Sequence, residues 1–416
     1  MSDQTRSDKQ DLRPPTQVLT RGYDPRLSVG SARPAVFRSS TYVFPSPEAA
    51  EHAFDLASGR VQPEPGEQPD LIYSRFNQPN AQILEERLVP LENGAQAALV
   101  FNSGMAAIMT ALLTFVRPGQ TILYTVPIYG GTQHLIEDFL STLGILGIPV
   151  EAGNTHEMDE GIRSAKDLAI VLIETPANPT IVMTDIQRAA TGAAWLSPRP
   201  LVMVDNTMLG PAFQHPLVHG ADLSLYSATK YLSGLSDLIA GAVLAKDPDL
   251  IRQLHSKRNL FGNILQPDEC WMLEGRLPTV TLRMNRSSKN AERIATRLAK
   301  HPKVARVLYP TLFSDPEQLQ IAREQCDFPG GMLSIELRGG KKAAFEFLRN
   351  LRIARNAVSL GGVETLVCHP KTTTHSGFTE EEFAAAGVTD GLVRISIGIE
   401  DWRDLMQDFE QALDLV

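Results

Sequence analysis

The 416-residue sequence predicts an α/β fold, with a mostly parallel, doubly wound sheet followed by a smaller α+β domain. Three observations carry this expectation. Short runs that are apolar throughout, rather than alternating, recur from about Leu71 to Leu282, as expected of strands covered on both faces. Helical stretches separate those runs and supply the crossovers that parallel strands require. After about Arg283 the pattern changes to a long polar helix, then strand, helix, strand and helix, in a chain long enough for more than one domain.

Residues 1–68 are rich in Pro and Ser, with the loop VQPEPGEQPD at their end. They read as an extended arm with little core of its own, lying across something else such as another subunit. Residues 69–282 form the predicted α/β domain, with strands AALVF (97–101), TILYTV (121–126), AIVLIE (169–174), PLVMVD (200–205) and DLSLYS (222–227). No charged residue lies between Glu92 and Arg117, yet Asn93, Gln96, Asn102, Ser103 and Gly104 interrupt that stretch. A membrane-spanning helix would have to bury those groups in hydrocarbon. The stretch therefore reads as a strand, a turn and a buried helix from about Met105 to Phe115. Residues 283–416 make the α+β domain, with strands GGMLSIEL (330–337) and LVRISIG (392–398), a helix near 341–350 and a last helix from Trp402.

An apolar fraction of 43% and a charged fraction of 21% are ordinary globular usage. The 39 Lys and Arg against 48 Asp and Glu leave a net charge of −9, which gives no electrostatic footprint for nucleic acid or an anionic membrane. Cys270, Cys326 and Cys368 are odd in number and far apart, so neither a disulfide framework nor a zinc pair is expected. With no apolar segment in MSDQTRSDKQDLRPP, a cytoplasmic, reduced chain is the expectation.

Ligands of open α/β sheets collect at the carboxyl ends of strands. Five such ends carry usable groups: Asn102 to Met105, Tyr129 to Thr132, Glu174 to Pro179, Asp205 to Thr207, and Ser227 to Lys230. There is no GxGxxG and no GxxxxGK[ST], so dinucleotide and P-loop readings lose their main support. The Ser103-Gly104-Met105 turn suits a phosphate through its free N–H groups, although alone it is also an ordinary βα turn. Asp205 alone fits a helix cap as well as a buried acid. Lys230 alone fits a solvated surface lysine as well as a desolvated nucleophile, and Tyr129 a packed core ring. His369 and His375 lack metal-ligand spacing, and no metal is expected. Together, a phosphate cup, a ring to stack on, an acid for a pyridinium nitrogen and a Schiff-base lysine are the groups that pyridoxal 5'-phosphate (PLP) requires.

The sequence resembles the Cys/Met-metabolism (trans-sulfuration) family of fold-type I PLP-dependent enzymes, which includes cystathionine γ-synthase, the cystathionine lyases and methionine γ-lyase. The resemblance rests on SSTYVF (39–44), YSRF (73–76), NSGMAA (102–107), YGGT (129–132), ETPANP (174–179), VDNT (204–207), YSATKYLSG (226–234), SLGGVETL (359–366), HP…THS (369–376) and RISIGIED (394–401). It implies that Lys230 holds the cofactor aldehyde as an internal aldimine, that Asp205 pairs the ring nitrogen, and that Tyr129 stacks on the ring. Asn178 is implied to reach the phenolic oxygen, while Gly104, Met105, Ser227 and Thr229 hold the phosphate. Tyr73 and Arg75 are implied to reach a neighbouring subunit's phosphate, in a homotetramer of two catalytic dimers. Ser359 and Arg394 are implied to hold the carboxylate of a small amino-acid substrate.

The chain departs from the family pattern at Asn77-Gln78 in the arm motif, at Leu235 in place of a His, and at Val358 before the SLGG serine. Gly131 stands where methionine γ-lyases carry Cys, and Arg258-Asn259 where they carry Lys-Asp. The implied reaction is γ-elimination or γ-replacement, with Lys230 moving protons and Tyr129 assisting. The Cγ leaving group is sulfur, as in methionine, homocysteine or cystathionine, or oxygen, as in an acylhomoserine or a canavanine-like compound. A cystathionine β-lyase and a non-catalytic PLP-bound scaffold are the alternatives.

Overall fold

A computed structural model describes residues 12–62, 64, 67 and 70–416. The start of the expected arm, residues 1–11, and residues 63, 65, 66, 68 and 69 of its loop lie outside the described residues. The described part of the arm is less extended than its composition suggests. It carries helices Pro14–Thr20 and Pro47–Ser58. In the second, Ser46 accepts the Ala49 N–H at 3.2 Å, Pro47 occupies the first turn and Gly59 closes the helix in the left-handed region. Those are strong start and stop signals around a run of good helix formers.

The seven strands β1 (Ala97–Phe101), β2 (Thr121–Val126), β3 (Leu146–Glu151), β4 (Leu168–Glu174), β5 (Leu201–Asp205), β6 (Leu223–Ser227) and β7 (Gly241–Ala245) form one sheet in the order β1-β7-β6-β5-β4-β2-β3. All neighbours are parallel except those of β7, which runs antiparallel to β1 and β6. The apolar runs feed two cores at once. Ile170, Leu172 and Met203 pack on one face with Leu99, Phe101 and Leu225, while Val171, Ile173, Val202 and Val204 pack on the other with Met158 and Ile186. Alternate residues facing opposite buried cores is why these strands carry no polar face.

Two of the seven strands escape the sequence reading. β3 contains Gly147 and Pro149, which argue against a strand, but it ends the sheet, where a missing donor is tolerated. A Cβ at Gly147 would sit 2.7 Å from Ile136 and 3.2 Å from Tyr124, so bulk is excluded there. β7 is GAVLA, a run of small residues too short to stand out.

Strands β8 (Val304–Leu308), β9 (Met332–Leu337), β10 (Arg355–Asn356), β11 (Leu366–Cys368) and β12 (Leu392–Ser396) form a second sheet in the order β10-β11-β12-β9-β8. Helices Val280–Leu298, Gly340–Asn350 and Trp402–Asp414 pack on it through Ile294, Phe347 and Phe409 against Leu333, Ile335, Val393 and Ile395. Position 282/283, where the sequence pattern changes, lies inside helix Val280–Leu298.

One buried acid makes stability depend on pH. Glu92 is 2% exposed and accepts hydrogen bonds from the Tyr226 hydroxyl and from Ser224 Oγ at 3.3 Å. Burial pushes its pKa from 4.5 up to about 8. The folded chain thus holds this proton more tightly than the unfolded chain. The associated stability is fully present below 4.5 and is lost as pH rises through about 8. Glu92→Gln removes that titration. Urea midpoints at about pH 5 and about pH 8.5 are expected to show the wild type losing more stability than the variant, by on the order of a few kcal/mol. Equal losses would refute the assignment.

Candidate active site

The carboxyl ends of β4, β5 and β6 bring most of the expected residues together. Glu174 and Asp205 are direct register partners at the ends of adjacent parallel strands. Asp205 Oδ1 accepts from the Thr207 N–H at 3.1 Å and from its hydroxyl at 2.6 Å, and Thr207 Oγ1 in turn accepts the Ser227 N–H at 2.8 Å. Thr207, to which the sequence reading gave no role, therefore links the β5 acid to the turn that carries the lysine. Burial raises the Asp205 pKa above the ordinary carboxylate range, opposed by the Thr207 hydrogen bonds.

Lys230 follows β6 in a turn closed by its N–H on the Ser227 carbonyl at 3.0 Å. Its Nζ donates to Ser359 Oγ at 3.2 Å. Burial, and then the Arg394 guanidinium, hold the amine below its ordinary pKa. Both effects favour the neutral, nucleophilic form of the amine over the solvated cation. The SLGG loop reaches it because Gly361, at φ +76°, has no side chain; a Cβ there would lie 2.7 Å from the Tyr231 nitrogen and 3.1 Å from the Lys230 carbonyl carbon.

Arg394 on β12 is 2% exposed and joins the two sheets. Nη1 donates to Asn178 Oδ1 at 3.0 Å, and Nη2 donates to the carbonyls of Val358 at 2.7 Å and Ser359 at 3.0 Å. The Asn178 carbonyl accepts from His375 Nε2 at 3.1 Å. That donation leaves His375 Nδ1 as the acceptor for Thr374 Oγ1, and burial keeps the ring neutral, with its pKa pushed down to about 4. His375 thus tethers its loop to Asn178, a role that metal-ligand spacing could not have revealed.

On the other side of the lysine, Ser103 caps helix Gly104–Phe115 by accepting the Ala106 N–H at 3.0 Å. The N–H groups of Gly104 and Met105 have no acceptor within the helix. Gly104 lies against Ser227, where a Cβ would meet the serine side chain at 3.0 Å. Tyr129 is 46% exposed, and its ring rests on Gly131. A Cβ at Gly131 would lie 2.7 Å from that ring, so the departure at Gly131 is what leaves room for it. Val358 and Leu235, two of the departures, are both exposed.

Three expected residues stand apart. The Thr229 hydroxyl is engaged by Ala240, accepting its N–H at 3.0 Å and donating to its carbonyl at 3.2 Å. Arg75 donates from Nη1 to the Asn259 carbonyl at 2.6 Å, and Tyr73 bridges to Thr41. Neither Tyr73 nor Arg75 hydrogen-bonds to the Lys230 cluster. The departing Gln78 caps helix Pro79–Leu88 by accepting the Ala81 N–H at 2.6 Å, and with Asn80 it pins the arm at Ala35 and Phe37. Arg258, at the other departure, is buried and donates to Glu85 and to the Val100 carbonyl.

Residues 15–414 match the family model described as Cys/Met metabolism PLP-dependent enzyme. The chain belongs to that family. It is 38% identical over 400 residues to an L-methionine gamma-lyase of Pseudomonas deceptionensis, covering 96% of each chain. It is 38% identical over 341 residues to the cystathionine beta-lyase MetC of Bacillus subtilis, covering 82% of this chain and 85% of that one. Among solved structures, the cystathione gamma lyase CalE6 of Micromonospora echinospora superposes with a TM-score of 0.86 at 33% identity, covering 97% of this chain and 99% of that one.

Membership makes the chain a PLP-dependent enzyme of fold-type I. The residues present fit that cofactor. A buried acid ends one strand, a desolvated lysine amine follows the next, and helix N–H groups face a serine between them.

Proposed function

We propose that the chain is a γ-lyase acting on an L-amino acid with a sulfur leaving group at Cγ, methionine or cystathionine being the first candidates. The single observation that carries this is the convergence of a desolvated Lys230 amine, the Ser359 hydroxyl 3.2 Å from it, and the Arg394 fork that also holds the Ser359 carbonyl. The activities for which the L-methionine gamma-lyase of Pseudomonas deceptionensis and the cystathione gamma lyase CalE6 are named support it.

When bound, PLP withdraws electrons from the substrate Cα, so that bonds at and beyond Cα can ionise. The chain's own residues do the rest. Asp205 stands where its carboxylate would stabilise a pyridinium nitrogen, and Thr207 orients it. The Gly104 and Met105 N–H groups and Ser227 would hold the phosphate, and Asn178 would reach the ring oxygen, while the Thr229 hydroxyl holds Ala240. Arg394 orients the substrate carboxylate, and Ser359 aims Lys230 Nζ at the Cα and Cβ protons. Tyr129 would cover the ring and assist at the leaving group. The Cγ–S bond then breaks, the sulfur leaves as a thiol, and water releases 2-oxobutanoate and ammonia.

Tyr73 and Arg75 engage no residue of their own chain's lysine cluster, which supports a catalytic dimer in which they serve the neighbouring site, and two such dimers in a homotetramer. Three free thiols, buried or half-buried, support a cytoplasmic compartment. Among the described residues no helix is long and apolar enough to cross a membrane.

The test is a product assay on methionine, homocysteine, cystathionine, O-acetylhomoserine, O-succinylhomoserine and canavanine. A γ-lyase yields 2-oxobutanoate from at least one sulfur substrate. Pyruvate from cystathionine would replace the reading with a β-lyase. A thioether or homoserine product would replace it with γ-replacement or cleavage at a Cγ–O bond. Light scattering that shows an active monomer would overturn the subunit proposal.

A further inference from the structure

Glu174 takes no part in the chemistry above, yet both of its oxygens are committed. It is 5% exposed, at the end of β4 and in register with Asp205. Oε2 accepts the Tyr129 N–H at 2.8 Å and Oε1 accepts the Asn178 N–H at 2.9 Å. Those two N–H groups belong to different loops, one following β2 and the other following β4. The Glu174 N–H is itself held by Thr125 Oγ1 of β2 at 3.0 Å. The arrangement is a single rigid acceptor at a strand end, bridging the backbones of the ring-covering residue and the residue aimed at the ring oxygen.

The location is costly. Two carboxyl groups side by side at the buried end of a sheet oppose each other's ionisation, and an isolated carboxylate there is expensive. Burial, with the neighbouring Asp205 charge adding to it, raises the Glu174 pKa, and the two N–H groups and Arg394 oppose that rise in favour of the ionised form. A glutamine would fill the same volume without the charge. It would accept only one of the two N–H groups and turn its own NH2 against the other, leaving a buried donor unpaired. The chemistry of two converging donors calls for a carboxylate.

We propose that Glu174 is a positioning residue, whose two carboxylate oxygens clamp the Tyr129 and Asn178 backbones and so fix both side chains relative to Asp205 around the cofactor ring. This rests on the placement of PLP given under Proposed function. The clamp acts on how the ring is seated, and not on proton transfer.

The experiment uses purified apoprotein of the wild type, Glu174→Gln, Glu174→Asp and Asp205→Ala, reconstituted with PLP. Far-ultraviolet circular dichroism and thermal unfolding of each apoprotein report folding. PLP titration and the visible circular dichroism of the bound cofactor report ring seating. Glu174→Gln is expected to fold, to bind PLP about tenfold more weakly, and to lose about half or more of the visible signal. Glu174→Asp, which keeps two acceptors on a shorter arm, is expected to fall between. Wild-type affinity and visible signal in Glu174→Gln would overturn the proposal. If the glutamine variant does not fold, a wild-type visible signal in Glu174→Asp would overturn it instead. Asp205→Ala with an unaltered affinity and signal would overturn the cofactor placement itself.

Discussion

Lys230→Ala is expected to lower turnover on the preferred substrate by at least about 10³-fold while the chain still folds and still takes up PLP. The amine is half-buried, held below its ordinary pKa by burial and by Arg394, and aimed by Ser359 Oγ at 3.2 Å. Alanine removes both the covalent anchor and the group placed to move protons. Folding should survive, because the half-buried lysine side chain contributes one hydrogen bond, to Ser359. Borohydride reduction separates this from a general loss of binding. It should fix the cofactor covalently to the wild-type chain at Lys230 and leave the variant unlabelled. Turnover within tenfold of wild type would show that another group does the chemistry. A biological role kept without turnover would promote the cofactor-bound scaffold over the enzyme.

The features that were legible in the sequence share one property, which is that each is local. Apolar runs such as Leu168–Glu174 announce themselves because all but one of the residues are buried, and Ser103 and Asp205 declare strand ends by their position. What escaped depends on partners distant in the chain. Glu174 ends an apolar strand just as Asp205 does, and that parallel was the available signal, but its two N–H partners lie 45 residues before it and four after it. Thr207 acts through Ser227, and His375 through the Asn178 carbonyl 197 residues away. β3 and β7 failed for a different reason. Gly147, Pro149 and the small residues of GAVLA are placed by tertiary packing against the strand's own propensity. The Gly131 departure could be counted from the sequence, but its consequence could not. Only the fold shows the Tyr129 ring resting where a side chain would have been.

Arg394→Ala is expected to lower kcat/KM by roughly 10²-fold or more, as the loss of about 3 kcal/mol of charge-assisted binding. Three of the five N–H donors of its guanidinium are spent on Asn178 Oδ1 and on the carbonyls of Val358 and Ser359, which leaves two without a protein acceptor among the described residues. Those two donors, and the full charge of a buried, fixed guanidinium, remain available to one carboxylate. Lysine keeps the charge but cannot satisfy three protein acceptors and a substrate from one ammonium, so Arg394→Lys should recover little. The same argument gives a control that a purely structural role would not meet. Wild-type enzyme should discriminate strongly between the amino acid and its decarboxylated amine, and Arg394→Ala should lose most of that discrimination. If the variant is slow on both but still discriminates as the wild type does, Arg394 is only the brace between the two sheets. The carboxylate site then lies elsewhere, with Ser359 as the remaining residue to test.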